Sequence, residues 1–92
     1  SHAFAFRTFW VVAEVTNHSF YSQKGFHYFD LVEKADRGSQ ILARMPAVAW
    51  SGGNIRIREF ERITGQPFRN DIQVLVKVSV DYHPVYGLKL TL

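Results

Sequence analysis

The chain has no cysteine, which excludes disulfide staples and any zinc site that needs thiolate ligands. No apolar run approaches the roughly 20 residues of a membrane helix. Nothing reads as a secretory leader, and Ser1-His2 reads as the scar of an expression tag. These absences fit a cytosolic protein with no membrane partner. There is no internal repeat, low-complexity tract or linker, so a single domain over residues 1–92 is expected. His18, His27 and His83 lie far apart, with no His-x-x-x-His spacing and no accompanying carboxylate pair. Neither a metal centre, a cofactor nor a catalytic acid–base pair is expected from them. Ser51-Gly52-Gly53-Asn54 lacks the Lys-Ser/Thr of a phosphate-binding loop.

What is present is a small, aromatic, mildly basic chain. Its 92 residues are 47% hydrophobic and 15% aromatic, with a net charge of +3. A domain this size buries about 60–65% of its unfolded surface, enough for an independent core. The charge suits a nucleic-acid partner and an ordinary solvated surface equally well. The clearest pattern is Ile72 to Tyr82, where every even position is Ile, Val or Tyr. That period of two belongs to a strand with one buried face. His83-Pro84-Val85-Tyr86-Gly87 turns the chain, and Leu88 to Leu92 returns as a second strand. An alternating strand stopping at Leu92 reads as a fragment excised from a longer protein.

Upstream, Phe9 to Val15 reads as a strand with Phe9, Val11, Ala13 and Val15 on one face. Asn17 to Lys24 reads as a polar loop closed by Gly25. Phe26 to Glu33 forms a second strand, with Phe29 and Leu31 inward and Tyr28 and Asp30 outward. After a Lys34–Gly38 hairpin loop, Gln40 to Ala49 supplies a third strand, bent at Pro46. Asn54 is placed to cap a helix from Ile55 to Thr64, with Ile57, Phe60 and Ile63 or Thr64 facing the core. Gly65 stands at the left-handed cap, followed by Pro67. Three strands, a short helix and two strands give a mainly β fold. That is the order of an OB-fold, a five-stranded Greek-key barrel with its helix between strands three and four. An SH3-like barrel also has five strands, but usually lacks such a helix.

Four segments carry a resemblance beyond the fold. Phe9-Trp10-Val11-Val12-Ala13-Glu14-Val15-Thr16-Asn17 resembles the "W-V-x-G-E-(V/I)-(S/N)-N" opening of the large subunit of exodeoxyribonuclease VII. Gly25 to Leu31 is similar to its "G-H-x-Y-(F/L)-x-L" segment, with Phe26 inserted or shifted. Ile41 to Trp50 resembles its third strand, and Val74 to Tyr82 with Tyr86-Gly87-Leu88 its last hairpin. Ala13 and Asp71 stand where glycine is usual. The resemblance implies a bacterial, cytosolic nuclease that degrades single-stranded DNA to short oligonucleotides. It further implies that this chain is the N-terminal strand-binding domain, with catalysis elsewhere and small subunits bound by other regions.

Single strands are held by cations and by rings on which bases stack. In an OB-fold the ligand crosses the outer side of strands two and three, between the first loop and the last hairpin. The candidates are the rings Tyr28, Trp50, Tyr82 and Tyr86, and the basic residues Lys24, Arg44, Lys77 and Lys89. Lys34 and Arg37 lie in the second loop, and the acidic residues nearby are Asp30, Asp36 and Asp81. Tyr82 shares its parity with Val78 and Val80, which favours the core over a base. Trp50 suits either a barrel lid or a platform. His27, aligned with the family motif, hydrogen-bonds either its own strand or the nucleic acid. Arg56, Arg58 and Arg62 alternate with Glu59 and Glu61, the pattern of a solvated helix face. Two other roles stay open: an RNA-binding OB domain like those that hold anticodons, and a protein-interaction module forming homodimers.

Overall fold

A computed structural model describes residues 7–92. Strands β1 (Thr8–Tyr21), β2 (Phe26–Lys34) and β3 (Ile41–Ala49) precede helix α1 (Ser51–Thr64), followed by β4 (Gln73–His83) and β5 (Gly87–Thr91). They close into a barrel in the order β1-β2-β3-β5-β4, with β3 and β5 parallel and the other pairs antiparallel. The expected OB architecture is what the chain adopts.

Alternation builds the core. Ala13 and Val15 of β1, Phe29 and Leu31 of β2, Ala47 and Ala49 of β3, and Val74 and Val78 of β4 pack inward with Ile57, Phe68 and Leu90. Each large aliphatic side chain so buried contributes about 1.5–3 kcal/mol. Phe9 shares the inward parity of β1 but remains 46% exposed. Helix α1 meets the barrel through a glycine: a Cβ on Gly53 would lie 2.7 Å from Ala49 Cβ and 3.0 Å from the Leu92 carbonyl oxygen. No larger residue allows that approach.

Three expectations are corrected. The polar stretch from Asn17 is not a loop: β1 continues to Tyr21, and only Ser22–Gly25 turn. A bulge between Thr16 and Ser19 makes this possible, with Asn17 at φ 52. Asn17 is tied across the hairpin, its Nδ2 donating to Asp30 Oδ2 at 2.9 Å. The helix begins earlier than Asn54, with Trp50 at its N-cap and no side-chain capping bond. Its inward stripe is also narrower than expected, since Ile63 is 68% exposed. The Gly65 cap stands as expected, donating its N–H to Glu61 O.

Two breaks in the barrel shape its surface. β5 meets β3 only at Ala47↔Leu90 and Val48↔Thr91, so the β4–β5 hairpin projects as a two-stranded arm beyond that contact. The ladder between β4 and β5 runs from Ser79 to His83. Among the described residues, the Gln73–Val78 edge turned away from β1 therefore has no strand partner. Ile57 and Phe60 of α1 flank that edge across a groove of about 530 Å³.

Candidate nucleic-acid interface

At the tip of the β1–β2 hairpin, outward parity brings rings together. Tyr21 pairs with Phe26 and Ser19 with Tyr28 across the hairpin, while Tyr28 faces Val48 of β3. Trp50 follows β3 directly. Centroid distances are 5.2 Å for Tyr21–Tyr28, 5.0 Å for Phe26–Trp50 and 5.7 Å for Tyr28–Trp50, the latter two edge-to-face. Such contacts are worth about 0.5–1.5 kcal/mol each beyond area burial, so the rings hold one another in place. Val48 is only 1% exposed although it points outward beside Tyr28, as expected of a side chain roofed by rings.

Two cations border this wall. Lys24 Nζ lies 5.9 Å from the Phe26 ring centroid, and Lys89 Nζ lies 5.4 Å from that of Trp50. Neither forms an ion pair among the described residues, which leaves both charges for a ligand. Further along the same face Arg44 Nη1 donates to Asp30 Oδ2 at 3.0 Å, and Lys34 Nζ to Glu14 Oε1 at 2.8 Å. Those two basic residues arrive partly neutralised.

The remaining candidates scatter. Tyr82 and Tyr86 lie on the projecting arm, 70% and 83% exposed. Tyr82 keeps the inward parity of β4, but the arm has left the barrel, and among the described residues no core reaches it. The ring of His83 lies against Tyr86, tilted by 34° with centroids 4.6 Å apart, and its Nδ1 accepts the N–H groups of Val85 and Tyr86. Lys77 is separate: it points out from β4 opposite Trp10 of β1, with Nζ 6.0 Å from that ring. Trp10, Val12 and Leu75 there form an exposed apolar face.

His27 is corrected outright as a surface contact, because it points inward and is 6% exposed. Its Nδ1 lies 2.8 Å from His18 Nε2, and its Nε2 lies 3.1 Å from Asn54 Oδ1. Phe20 and Phe68 pack against its ring at 4.4 and 5.6 Å. Burial is the main cause holding both imidazoles below the ordinary pKa of 6.5. The two histidines looked unrelated in sequence, since the bulge in β1 that brings them together leaves no periodic signal. Tyr21 and Phe26 were also missed. The alternation Phe26-x-Tyr28 could have signalled Phe26, whereas Tyr21 was hidden in a stretch that reads as loop.

The helix charges are less uniform than a solvated face. Arg62 pairs with Glu59, but Glu61 Oε2 accepts the Phe68 N–H at 2.8 Å and fastens the segment after the helix. Among the described residues, no group of His, Cys, Asp or Glu is arranged to hold a metal ion, and no helix is long and apolar enough to cross a membrane.

Comparison with curated proteins and with solved structures gives no match. A family model described as an OB-fold nucleic acid binding domain matches residues 2–92. With the closed barrel and the position of its helix, that match places the chain in the family of OB-fold nucleic-acid-binding domains.

Proposed function

We propose that the chain binds single-stranded DNA as the N-terminal domain of an exodeoxyribonuclease VII large subunit, and that hydrolysis belongs to another region of that protein. The observation that carries the binding role is the wall of Tyr21, Phe26, Tyr28 and Trp50, bordered by Lys24 and Lys89. Rings offer bases a stacking surface without reading their identity, and unpaired lysines neutralise phosphates. In a duplex the base faces are already stacked on one another, so such a wall favours unpaired strands. The nuclease assignment is supported by the four ordered segments of resemblance. It is also supported by Asp71 at φ 70, a backbone state that suits the glycine usual there and that Asp tolerates.

Titrating a labelled oligonucleotide against the domain tests the binding role. Unpaired DNA is expected to bind more tightly than the matching duplex, and affinity to fall as salt rises. Indifference to both strandedness and salt would remove the proposal. RNA of the same sequence belongs in the same titration, because stacking and charge do not discriminate the 2′-hydroxyl. A clear preference for RNA would transfer the role to an RNA-binding domain.

A further inference from the structure

We propose that His27 is a positioning residue for the ring wall, acting with His18 and Asn54 as a proton-sensitive clasp that keeps the β1–β2 turn seated on helix α1. This rests on the wall being the strand-binding surface. His27 lies between the outward rings Phe26 and Tyr28, so fixing its inward imidazole fixes the strand that carries both. Its Nε2 meets Asn54 Oδ1, and the other side of that amide abuts the turn: a Cβ on Gly25 would stand 2.8 Å from Asn54 Nδ2. Gly25, at φ 71, is thus the residue that lets the turn approach the helix. Asn54 N–H donates in turn to Trp50 O at 2.7 Å, the first backbone bond of the helix, so the clasp and the backbone of Trp50 share one turn.

Proton positions follow from the geometry. Asn54 Oδ1 only accepts, so His27 carries its hydrogen on Nε2 and its Nδ1 accepts from His18 Nε2–H. A first added proton can enter at His18 Nδ1 without disturbing either bond. A second must go to His27 Nδ1 and would set two N–H groups head-on across 2.8 Å. The clasp therefore tolerates one proton and is broken by two, a coupled titration of the pair. Around it, β1 contributes Phe20, β2 Phe29, and the segment before β4 Phe68 and Asn70, whose Oδ1 accepts the His18 N–H. Glu61 of α1 is the charged group that favours protonation, and burial opposes it more strongly at both rings.

The test uses the Trp10→Phe background, so that emission reports Trp50. Without nucleic acid, imidazole nitrogen signals should show the first proton on His18 Nδ1 and the second entering only below the ordinary histidine range. That second step should coincide with a change in Trp50 emission and with loss of amide protection at Ser22–Gly25. His27→Gln should keep the neutral-pH emission and abolish the step. Two imidazoles titrating independently near 6.5, or a step unchanged in His27→Gln, would overturn the clasp. Added oligonucleotide separates this from the binding role. Extra positive charge alone would strengthen binding in acid, whereas a broken clasp weakens it, by up to about tenfold per pH unit below the second step. A step seen with no oligonucleotide binding at any pH would remove the strand-binding role and leave the clasp. Binding that never weakens in acid, with no step, would remove the clasp alone.

Discussion

The barrel carries aromatic residues at two ends, and they are held differently. At the β1–β2 tip, Tyr21, Phe26, Tyr28 and Trp50 pack against one another, with the buried Val48 beside Tyr28. On the β4–β5 arm, Tyr82 and Tyr86 are exposed, and among the described residues the one ring beside Tyr86 is that of His83. Both ends have a ring and a turn, yet only the first is set before any ligand arrives. A base stacking on a fixed ring need not order it, whereas ordering a free side chain costs about 0.5–1.5 kcal/mol. Of the two ends, the wall is therefore the one whose rings are set to supply affinity at the smaller ordering cost.

Trp50→Ala should show the largest difference between the ends. Trp50 touches Phe26, Tyr28 and Lys89, so its loss removes one platform and loosens three neighbours. A weakening of about 1–3 kcal/mol in single-strand binding is expected by fluorescence anisotropy. If Tyr86→Ala cost more, the roles of the two ends would be reversed. Gly25→Ala should come next: it strains a left-handed residue and drives a Cβ into Asn54. A stability loss of about 1–2 kcal/mol in urea is expected, with weaker binding at the wall. Substituting the arm should leave the urea midpoint unchanged.

The clasp bears on stability as well. Both histidines have folded-state pKa values lowered from 6.5 by burial, so the unfolded chain binds more protons below that pH. Their contribution to stability is fully present above about pH 6.5 and is lost as pH falls through the lowered values. Urea midpoints measured on either side of 6.5 should show that decline, and His18→Gln with His27→Gln should flatten it.

How legible each end was in the sequence follows from the same physics. Strict alternation in β4 and the order of three strands, a helix and two strands disclosed the barrel, because a period of two with one apolar face has few other uses. Tyr28 was legible as an outward candidate from its parity in β2, and Trp50 as either a lid or a platform from its place at the end of β3. Tyr21 was not, since β1 crosses a bulge after Thr16 and its polar residues are satisfied by distant partners such as Asn70 and Asp30. Tyr82 misled in the opposite way. Its parity indicates the core, but parity cannot reveal that the hairpin outruns the barrel at Leu90. The His18–His27 contact joins residues on two strands whose offset is fixed by the same bulge, so no local spacing encodes it.

The smallest expected effect concerns charge rather than rings. Lys89 of β5 reaches the Trp50 ring, so the arm's own strand supplies a cation to the wall. Lys89→Ala should weaken binding modestly at low salt and reduce the slope of log affinity against log salt by about 0.7, the value for one single-strand phosphate contact. Arg44→Ala should change that slope less, because its guanidinium already answers Asp30 at 3.0 Å. Asp30→Asn would release Arg44 from that pair, and the slope should then steepen toward one further contact. An equal slope change for Lys89→Ala and Arg44→Ala would mean that the ion pair opens freely on binding. The charge of the face would then be shared along β3 instead of concentrated where the rings are.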